Sequence, residues 1–344
     1  MFSPIPEILD DVRNGKLVIL VDDESRENEG DLVLAAQFVT PELINYMTRF
    51  AGGYLCLSLT EKDCDRLDLH PQSPANTALR QTAMTVSIDG HPRHGVGTGI
   101  SASDRARTIQ LAIDPTTGPD DFVKPGHINP LRARDGGVLV RTGQTEGSVD
   151  LARLAGCSPA ALIIEIVRED GEMARRDDLE TMCAEHGFRM CTIDQLIEYR
   201  LRREGLVRRL PPTGGATIET EFGEFTLLAM RSAVDPLPHL VISAGGVGAL
   251  DDDGKPILSD EPTLVRMHRR NLLGDIFAEL DTEGDSSSHA LRTSMRMIQE
   301  EGRGAIVYLR PTGHGDSQSQ RMITLSQNPA LPEDAPDLVS NDGS

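Results

Sequence analysis

The stretch Lys16-Leu-Val-Ile-Leu-Val-Asp-Asp-Glu-Ser-Arg-Glu-Asn-Glu-Gly-Asp31 joins an apolar run to six carboxylates within ten residues. Leu17 to Val21 reads as a buried strand, so Asp22, Asp23, Glu24, Glu27, Glu29 and Asp31 are expected where the chain leaves a sheet. Like charges at this spacing repel and raise one another's pKa unless a cation shares them, and hard oxygen ligands favour Mg²⁺, Mn²⁺ or Ca²⁺ over zinc. Arg26 lies among them as a fork for phosphate or carboxylate. The charge pattern leaves two readings open, a solvated acidic loop and a metal site; Gly30, which lets backbone approach a ligand, favours the second.

Outward from this stretch, strand and helix signals alternate through the first two hundred residues. Residues 41–51 predict a helix with Thr40 as N-cap and Gly52 as stop. Strands are expected at 54–60, 85–88, 138–141 and 161–167, and helices at 103–113, 148–155, 178–186 and 192–203. The polar stretch 61–82, broken by Pro71 and Pro74, reads as a loop over a site with no element of its own. Residues 208–215, Arg-Arg-Leu-Pro-Pro-Thr-Gly-Gly, have linker chemistry and are expected to divide domain 1–207 from domain 216–327. Beyond the linker, 224–231, 239–243 and 304–310 read as strands and 289–301 as a helix. The acidic, Pro-containing tail 328–344 is expected to be disordered.

A chain of 344 residues is long enough for two domains. Its net charge of −20, 3% aromatic content and lack of Trp argue against nucleic acid or an anionic membrane as partner. A small phosphorylated substrate remains compatible, because local arginines can oppose the global charge. With no bilayer-length apolar run and no signal-peptide pattern at its start, the chain is expected to be cytoplasmic. Five cysteines without a C-x-x-C pair disfavour both a disulfide framework and a thiolate zinc site.

Residues 124–147 combine glycines with Arg132, Arg134, Arg141, Thr142 and Thr145 and run into a predicted helix. That is a kit for cradling a phosphate, or equally a Gly-rich hairpin with surface arginines. His127, between Pro125-Gly126 and Pro130, is held in a rigid loop as a proton-transfer group or a structural histidine. Glu165, inside Ala-Leu-Ile-Ile-Glu-Ile-Val, is expected to be buried and therefore paired, hydrogen-bonded or functional. The small-residue loop His94 to Arg105 permits close ligand approach or simply caps the following helix.

Asp22 to Leu32, Gly97-Thr-Gly-Ile-Ser-Ala-Ser-Asp-Arg105, Pro125-Gly-His127, Pro130 to Leu139, Thr145-Glu146, Val149-Asp-Leu151 and Leu154-Ala-Gly156 together resemble 3,4-dihydroxy-2-butanone-4-phosphate synthase. The resemblance runs collinearly over residues 4–203. It implies a Mg²⁺- or Mn²⁺-dependent lyase that converts ribulose 5-phosphate to formate and a four-carbon phosphate in riboflavin biosynthesis. It also implies a homodimer with active sites at the subunit interface. By residue, it implies Glu27 as metal ligand; Arg26, Glu27, Asp31, Arg141, Thr145 and Glu165 as substrate contacts; His127 and Glu165 as acid/base groups; and Glu29 and Cys56 near the reacting carbons. The family pattern Arg-x-Gly-His-Thr-Glu-Ala places a second metal ligand at its histidine, where this chain has Gln144, a neutral oxygen donor.

Phe222-Gly-Glu-Phe225, Val265-Arg-Met-His268, Leu273-Gly-Asp-Ile-Phe277 and Met297 to Gly304 more weakly resemble GTP cyclohydrolase II. Its zinc cysteines fall here at Asn271, Thr282 and Gly284, and its catalytic stretch is altered to Pro311-Thr-Gly-His-Gly315. The resemblance implies a degenerate domain with no zinc and no cyclohydrolase II activity. The fold class expected is α/β (α+β): a mixed sheet with flanking helices, followed by a smaller cyclohydrolase-like α/β domain. The alternative to the lyase, motivated by Gln144 and the lost cysteines, is a catalytically weak binding or regulatory protein of flavin metabolism.

Overall fold

The computed structural model describes residues 2–23, 26–80, 82–232, 235–259, 261–279 and 286–310. The chain divides into two compact units, Met1–Gly205 and Leu206–Ser344. Among the described residues no helix is long and apolar enough to cross a membrane.

In the first unit the elements follow as α1 (Ile5–Arg13), β1 (Val18–Val21), β2 (Gly30–Ala35), α2 (Pro41–Ala51), β3 (Cys56–Leu59), α3 (Glu61–Arg66), β4 (Ile88–Gly90), α4 (Ala102–Ile113), β5 (Phe122–Arg132), α5 (Gln144–Leu154), β6 (Ala161–Glu165), α6 (Arg176–His186), β7 (Arg189–Thr192) and α7 (Ile193–Arg203). The strands form one mixed sheet in the order β4-β5-β3-β6-β2-β1-β7. Alternation along the strands builds a core on each face. Ile19, Leu32, Leu34, Leu162 and Ile164 pack under α2 and α4, whereas Leu20, Val33, Ala161 and Ile163 pack under α1, α5 and α7.

That parity places the site. Asp31, Cys56 and Glu165 share register parity with Val33, Ala161 and Ile163, so they sit on the α5 face. β1 ends, β2 begins, β6 ends and β3 begins at the same edge of the sheet, because β1/β2, β2/β6 and β3/β6 are all antiparallel. Asp31 is therefore a strand residue, paired with Leu20 and Glu165, and not part of the loop at the end of β1. Glu24 lies outside the described residues.

Several expectations change. Stretch 61–82 opens with a helix, α3, because Thr60 accepts the Asp63 amide at its N-terminus. Pairing at 85–88 shifts onto β4, with Thr85 making only an isolated bridge to Pro71. Residues 138–141 are not a strand: Gly136 and Gly137 adopt positive φ, and Gly137–Leu139 turn as a single 3-10 turn. α5 starts at Gln144, not Ser148, with Gly143 as N-cap. His127 is not in a loop; it lies within the eleven-residue strand β5. Glu165 is only half-buried, at the open end of β6.

The second unit contains β8 (Val207–Arg209), β9 (Ala216–Thr220), β10 (Gly223–Ser232), β11 (Asp235–Ala244), β12 (Leu264–Arg269), α8 (Leu272–Phe277), α9 (Ser287–Glu301) and β13 (Gly304–Leu309). Its sheet order is β12-β13-β11-β10-β8, with β9 on β10. Arg208 and Arg209, assigned to the linker from composition, pair with β10. The core is small, Phe225, Ile298 and Ile306 with partly buried neighbours. Thr282, Gly284, Pro311 to Gly315 and the tail 328–344 lie outside the described residues.

Candidate active site

The turn between β1 and β2 is organised by Asp22. Its Oδ2 accepts the Glu27 amide (3.1 Å) and its Oδ1 the Glu29 amide (2.9 Å). Arg26 Nη1 donates to Asp22 Oδ2 (2.7 Å), Glu27 Oε2 (2.6 Å) and Gln144 Oε1 (2.9 Å). Arg175 holds the same turn from α6's N-terminal side through the carbonyls of Glu27 and Asn28. Asp22 thus spends its charge on its own turn, which leaves Glu27, Glu29 and Asp31 facing inward.

Those three carboxylates line a cavity of about 150 Å³ with Arg26, Arg141, Gln144, Thr145, Cys56 and Glu165, floored by Ile163, Leu131 and Met84 and edged by Thr82. Burial, then Glu165, Glu29, Glu27 and Asp22 in turn, push the Asp31 carboxyl well above its ordinary range. Burial and Glu27 raise Glu29 against the opposing pull of Arg175. Glu165 Oε2 accepts the Tyr54 amide at 2.8 Å. A Cβ at Gly53 would overlap the Glu165 carbonyl, so only glycine lets this approach happen. Burial, then Glu165 and Asp31, push the Cys56 thiol up to about 12, so it lines the cavity as a neutral thiol.

Arg141 Nη1 donates to Glu146 Oε2 (2.6 Å), and Glu146 Oε1 accepts the Arg134 amide (3.0 Å). This buried pairing seats the Gly-rich turn on the first turn of α5 and brings Gln144 and Thr145 to the cavity. Arg80 crosses over the site, donating to the Arg26 carbonyl and accepting Arg141 Nη2 (3.2 Å) on its own carbonyl.

His127 is not among these lining residues. Its Nδ1 is 2.7 Å from Asp89 Oδ2 and its amide donates to Asp89 Oδ1 (2.9 Å), while the side chain stays 44% exposed. With Nδ1 engaged, Nε2 is the nitrogen turned to other work. Gly99, at φ +89°, lies against the Asp89 carboxylate where a Cβ would collide. The His94–Arg105 loop therefore serves the histidine's support. Sequence reading missed Asp89, Arg80 and Glu146: the first two are remote from the motif, and the third stands inside it with no sign of its role.

The donors that converge are hard oxygens, and the like-charge repulsion that adds to burial in raising Asp31 and Glu29 is what a divalent cation relieves. The set fits Mg²⁺ or Mn²⁺ and, lacking a thiolate, does not fit a cysteine zinc site. Among the described residues no three His, Cys, Asp or Glu side chains gather closely enough to hold an ion alone. An ion held here would need further oxygens, from the Gln144 amide, water or substrate, to complete its coordination.

Fold and site define an α/β protein with a carboxylate-lined, oxygen-donor cavity bordered by guanidinium groups at one edge of a mixed sheet. Residues 6–199 match the family described as 3,4-dihydroxy-2-butanone 4-phosphate synthase, and residues 213–332 match GTP cyclohydrolase II. The riboflavin biosynthesis protein RibBA of Aquifex aeolicus (strain VF5) is 47% identical over 308 residues, covering 90% of this chain and 72% of its own length. The crystal structure of RibBX, a two-domain 3,4-dihydroxy-2-butanone 4-phosphate synthase from A. baumannii, is similar with a TM-score of 0.69 at 38% identity, covering 94% of this chain and 86% of that one. A 3,4-dihydroxy-2-butanone 4-phosphate synthase crystallised in complex with two magnesium ions gives a TM-score of 0.57 at 40% identity, over 59% of this chain and 99% of its own. The chain belongs to the 3,4-dihydroxy-2-butanone 4-phosphate synthase family of riboflavin biosynthesis, with a GTP cyclohydrolase II-like domain after the synthase domain.

Proposed function

We propose that the chain converts D-ribulose 5-phosphate to L-3,4-dihydroxy-2-butanone 4-phosphate and formate in the 150 Å³ cavity, with Mg²⁺ or Mn²⁺ as cofactor. The observation that carries this reading is the convergence of Glu27, Glu29, Asp31 and Glu165 with Arg26, Arg141 and Thr145 in one cavity. Glu27 and Gln144 are the residues suited to hold the cation, which when bound supplies charge stabilisation for the enediolate oxygens. Glu165, whose carboxylate accepts the Tyr54 amide, takes the proton next to the ketone in this reading. Glu29 and Asp31, whose carboxyls hold a proton more tightly than ordinary ones, border the reacting carbons. Arg26, Arg141 and Thr145 bind the sugar phosphate. Cys56 fills space beside the substrate as an uncharged thiol.

His127, engaged by Asp89 and not among the residues lining this cavity, works from the neighbouring subunit of a cytoplasmic homodimer: it transfers a proton through Nε2 into the partner's cavity. The second unit carries no zinc and does not open the ring of GTP. Asn271, at the position of a zinc cysteine, uses its side-chain oxygen to cap α8 through the Gly274 amide, and an amide cannot stand in for a thiolate.

The direct test is formate release from ribulose 5-phosphate with and without Mg²⁺. Glu27→Gln is expected to abolish release while leaving the circular dichroism spectrum unchanged. Undiminished release by that variant at saturating Mg²⁺ would remove Glu27 from the metal. No release by the parent at any Mg²⁺ or Mn²⁺ concentration would favour the binding-protein alternative.

A further inference from the structure

Arg26 lines two cavities of the first unit at once. Toward the carboxylates, its Nη1 faces Asp22 Oδ2 at 2.7 Å, Glu27 Oε2 at 2.6 Å and Gln144 Oε1 at 2.9 Å. On its other side is a more open cavity of about 400 Å³, lined by Arg26, Arg80 and Thr142 together with Asp23 and Asp194. One guanidinium nitrogen has two hydrogens, so three acceptors share them. Two of the three belong to the residues that the reading above assigns to the divalent cation.

An oxygen whose lone pair is taken by an N–H is not available to a cation from the same side, and a guanidinium beside a divalent ion is repelled by it. Asp22 is different. Its buried carboxylate is fixed by the Glu27 and Glu29 amides, so it anchors the arginine while the other two contacts exchange. In the neighbouring cavity a tetrahedral dianion seated on the Arg80 and Thr142 side, away from the Asp23 and Asp194 carboxylates, would supply acceptors in place of those that Arg26 gives up.

We propose that Arg26 couples the two cavities: it holds Glu27 and Gln144 until a phosphate group draws it toward Arg80 and Thr142, so that cation and phosphate bind with positive cooperativity. The inference rests on the assignment of Glu27 and Gln144 to the metal. Gln144 matters here because its neutral amide oxygen is a poor competitor for a cation and a ready acceptor for a guanidinium.

The experiment is Mn²⁺ binding to the full-length protein, read from the electron paramagnetic resonance signal of free Mn²⁺, with sulfate as the tetrahedral dianion. Saturating sulfate is expected to lower the Mn²⁺ dissociation constant of the parent by about fivefold or more, in the range of ordinary site coupling. Arg26→Gln is expected to bind Mn²⁺ more tightly than the sulfate-free parent and to show no sulfate effect. Arg80→Gln, which loses the bond to the Arg26 carbonyl but leaves the three contacts of the Arg26 guanidinium in place, is expected to bind Mn²⁺ like the parent but with a reduced sulfate effect. A parent whose Mn²⁺ affinity ignores sulfate, or an Arg26→Gln variant that binds Mn²⁺ more weakly, overturns the coupling while the metal assignment stands. If Glu27→Gln binds Mn²⁺ as the parent does, the metal assignment itself fails, and the coupling with it. Should Arg26→Gln not fold, the sulfate titration of the parent and of Arg80→Gln decides the matter alone.

Discussion

Asp31 stands in β2 with Glu165 across the ladder, and burial with that neighbour holds its carboxyl well above the unfolded range. Its folded pKa being raised, ionising Asp31 costs stability, and this cost is present at pH above the folded value. The cost fades as pH falls through the folded pKa and is gone below the unfolded one. Asp31→Asn is therefore expected to raise the melting temperature of the apo protein at pH 7.5 by a few degrees while abolishing formate release. The gain should vanish near pH 3.5; a variant equally or less stable at pH 7.5 would contradict the assignment. His127 depends on Asp89 in the same residue-by-residue way. Asp89→Asn leaves Nδ1 without its charged partner and is expected to lower kcat by about a hundredfold, the scale of losing a positioned acid or base, with KM little changed. A loss confined to KM would make Asp89 a substrate-side group.

At the scale of elements, the Asp89–His127 pair depends on how closely β4 and β5 approach one another. Gly126 lies directly against the backbone of Ile88 and Asp89, where a Cβ would overlap main-chain atoms that cannot turn aside. Gly126→Ala is expected to pry β4 from β5, lowering stability by about 3 kcal/mol or more, the scale of severe overpacking, and displacing the Asp89–His127 pair. Thermal unfolding of the variant measures this; an unchanged melting temperature would show that the strand edge is free to give. Much of the element pattern was legible. Thr40 and Gly52 bracket α2 as their chemistry requires, with the Thr40 hydroxyl accepting the Leu43 amide. Elsewhere the local signal failed for a physical reason. β5 contains Lys124-Pro-Gly126 and Pro130, residues that break a strand by propensity, and is held by two neighbouring strands that no local window includes. α5 begins at Gln144 because Gly143 and the Arg141–Glu146 pair fix its first turn, not because of any capping side chain.

For the whole molecule, the proposed role of His127 in the partner's cavity makes subunit mixing the informative measurement. His127→Ala and Glu165→Gln homodimers should each be nearly inactive. Unfolded together and refolded as an equal mixture, they should recover about a quarter of parental activity, since half the dimers carry one intact site assembled from both chains in a two-fold arrangement. No recovery, with heterodimers demonstrated, would place both residues in one subunit's site. The second unit holds its β12–α8–α9 region through a buried cluster in which Asp275 accepts from Ser287 Oγ (2.5 Å), Tyr308 Oη (2.7 Å) and the Asn271 amide (2.9 Å), with His268 Nε2 2.9 Å away. Because Asn271 offers an amide where a zinc site needs a thiolate, elemental analysis of the purified protein is expected to find no stoichiometric zinc, and one zinc per chain would reverse that reading.

Residue identity alone determined which chemistry is present: hard oxygens and guanidinium groups in the quoted motifs, an amide at position 144, and no cysteine at position 271. These are covalent facts, independent of folding. Only the tertiary structure decided which of those groups meet. Asp31 and Glu165, 134 positions apart in sequence, become cross-strand neighbours through the β2–β6 register, and burial together with that proximity raises the Asp31 carboxyl. Asp22 turns inward to serve its own loop, and His127 meets Asp89 through a strand whose register is set by β3 and β4. Strand register and burial are cooperative properties of the sheet, set by partners distant in sequence, so no window around any one of these residues contains them.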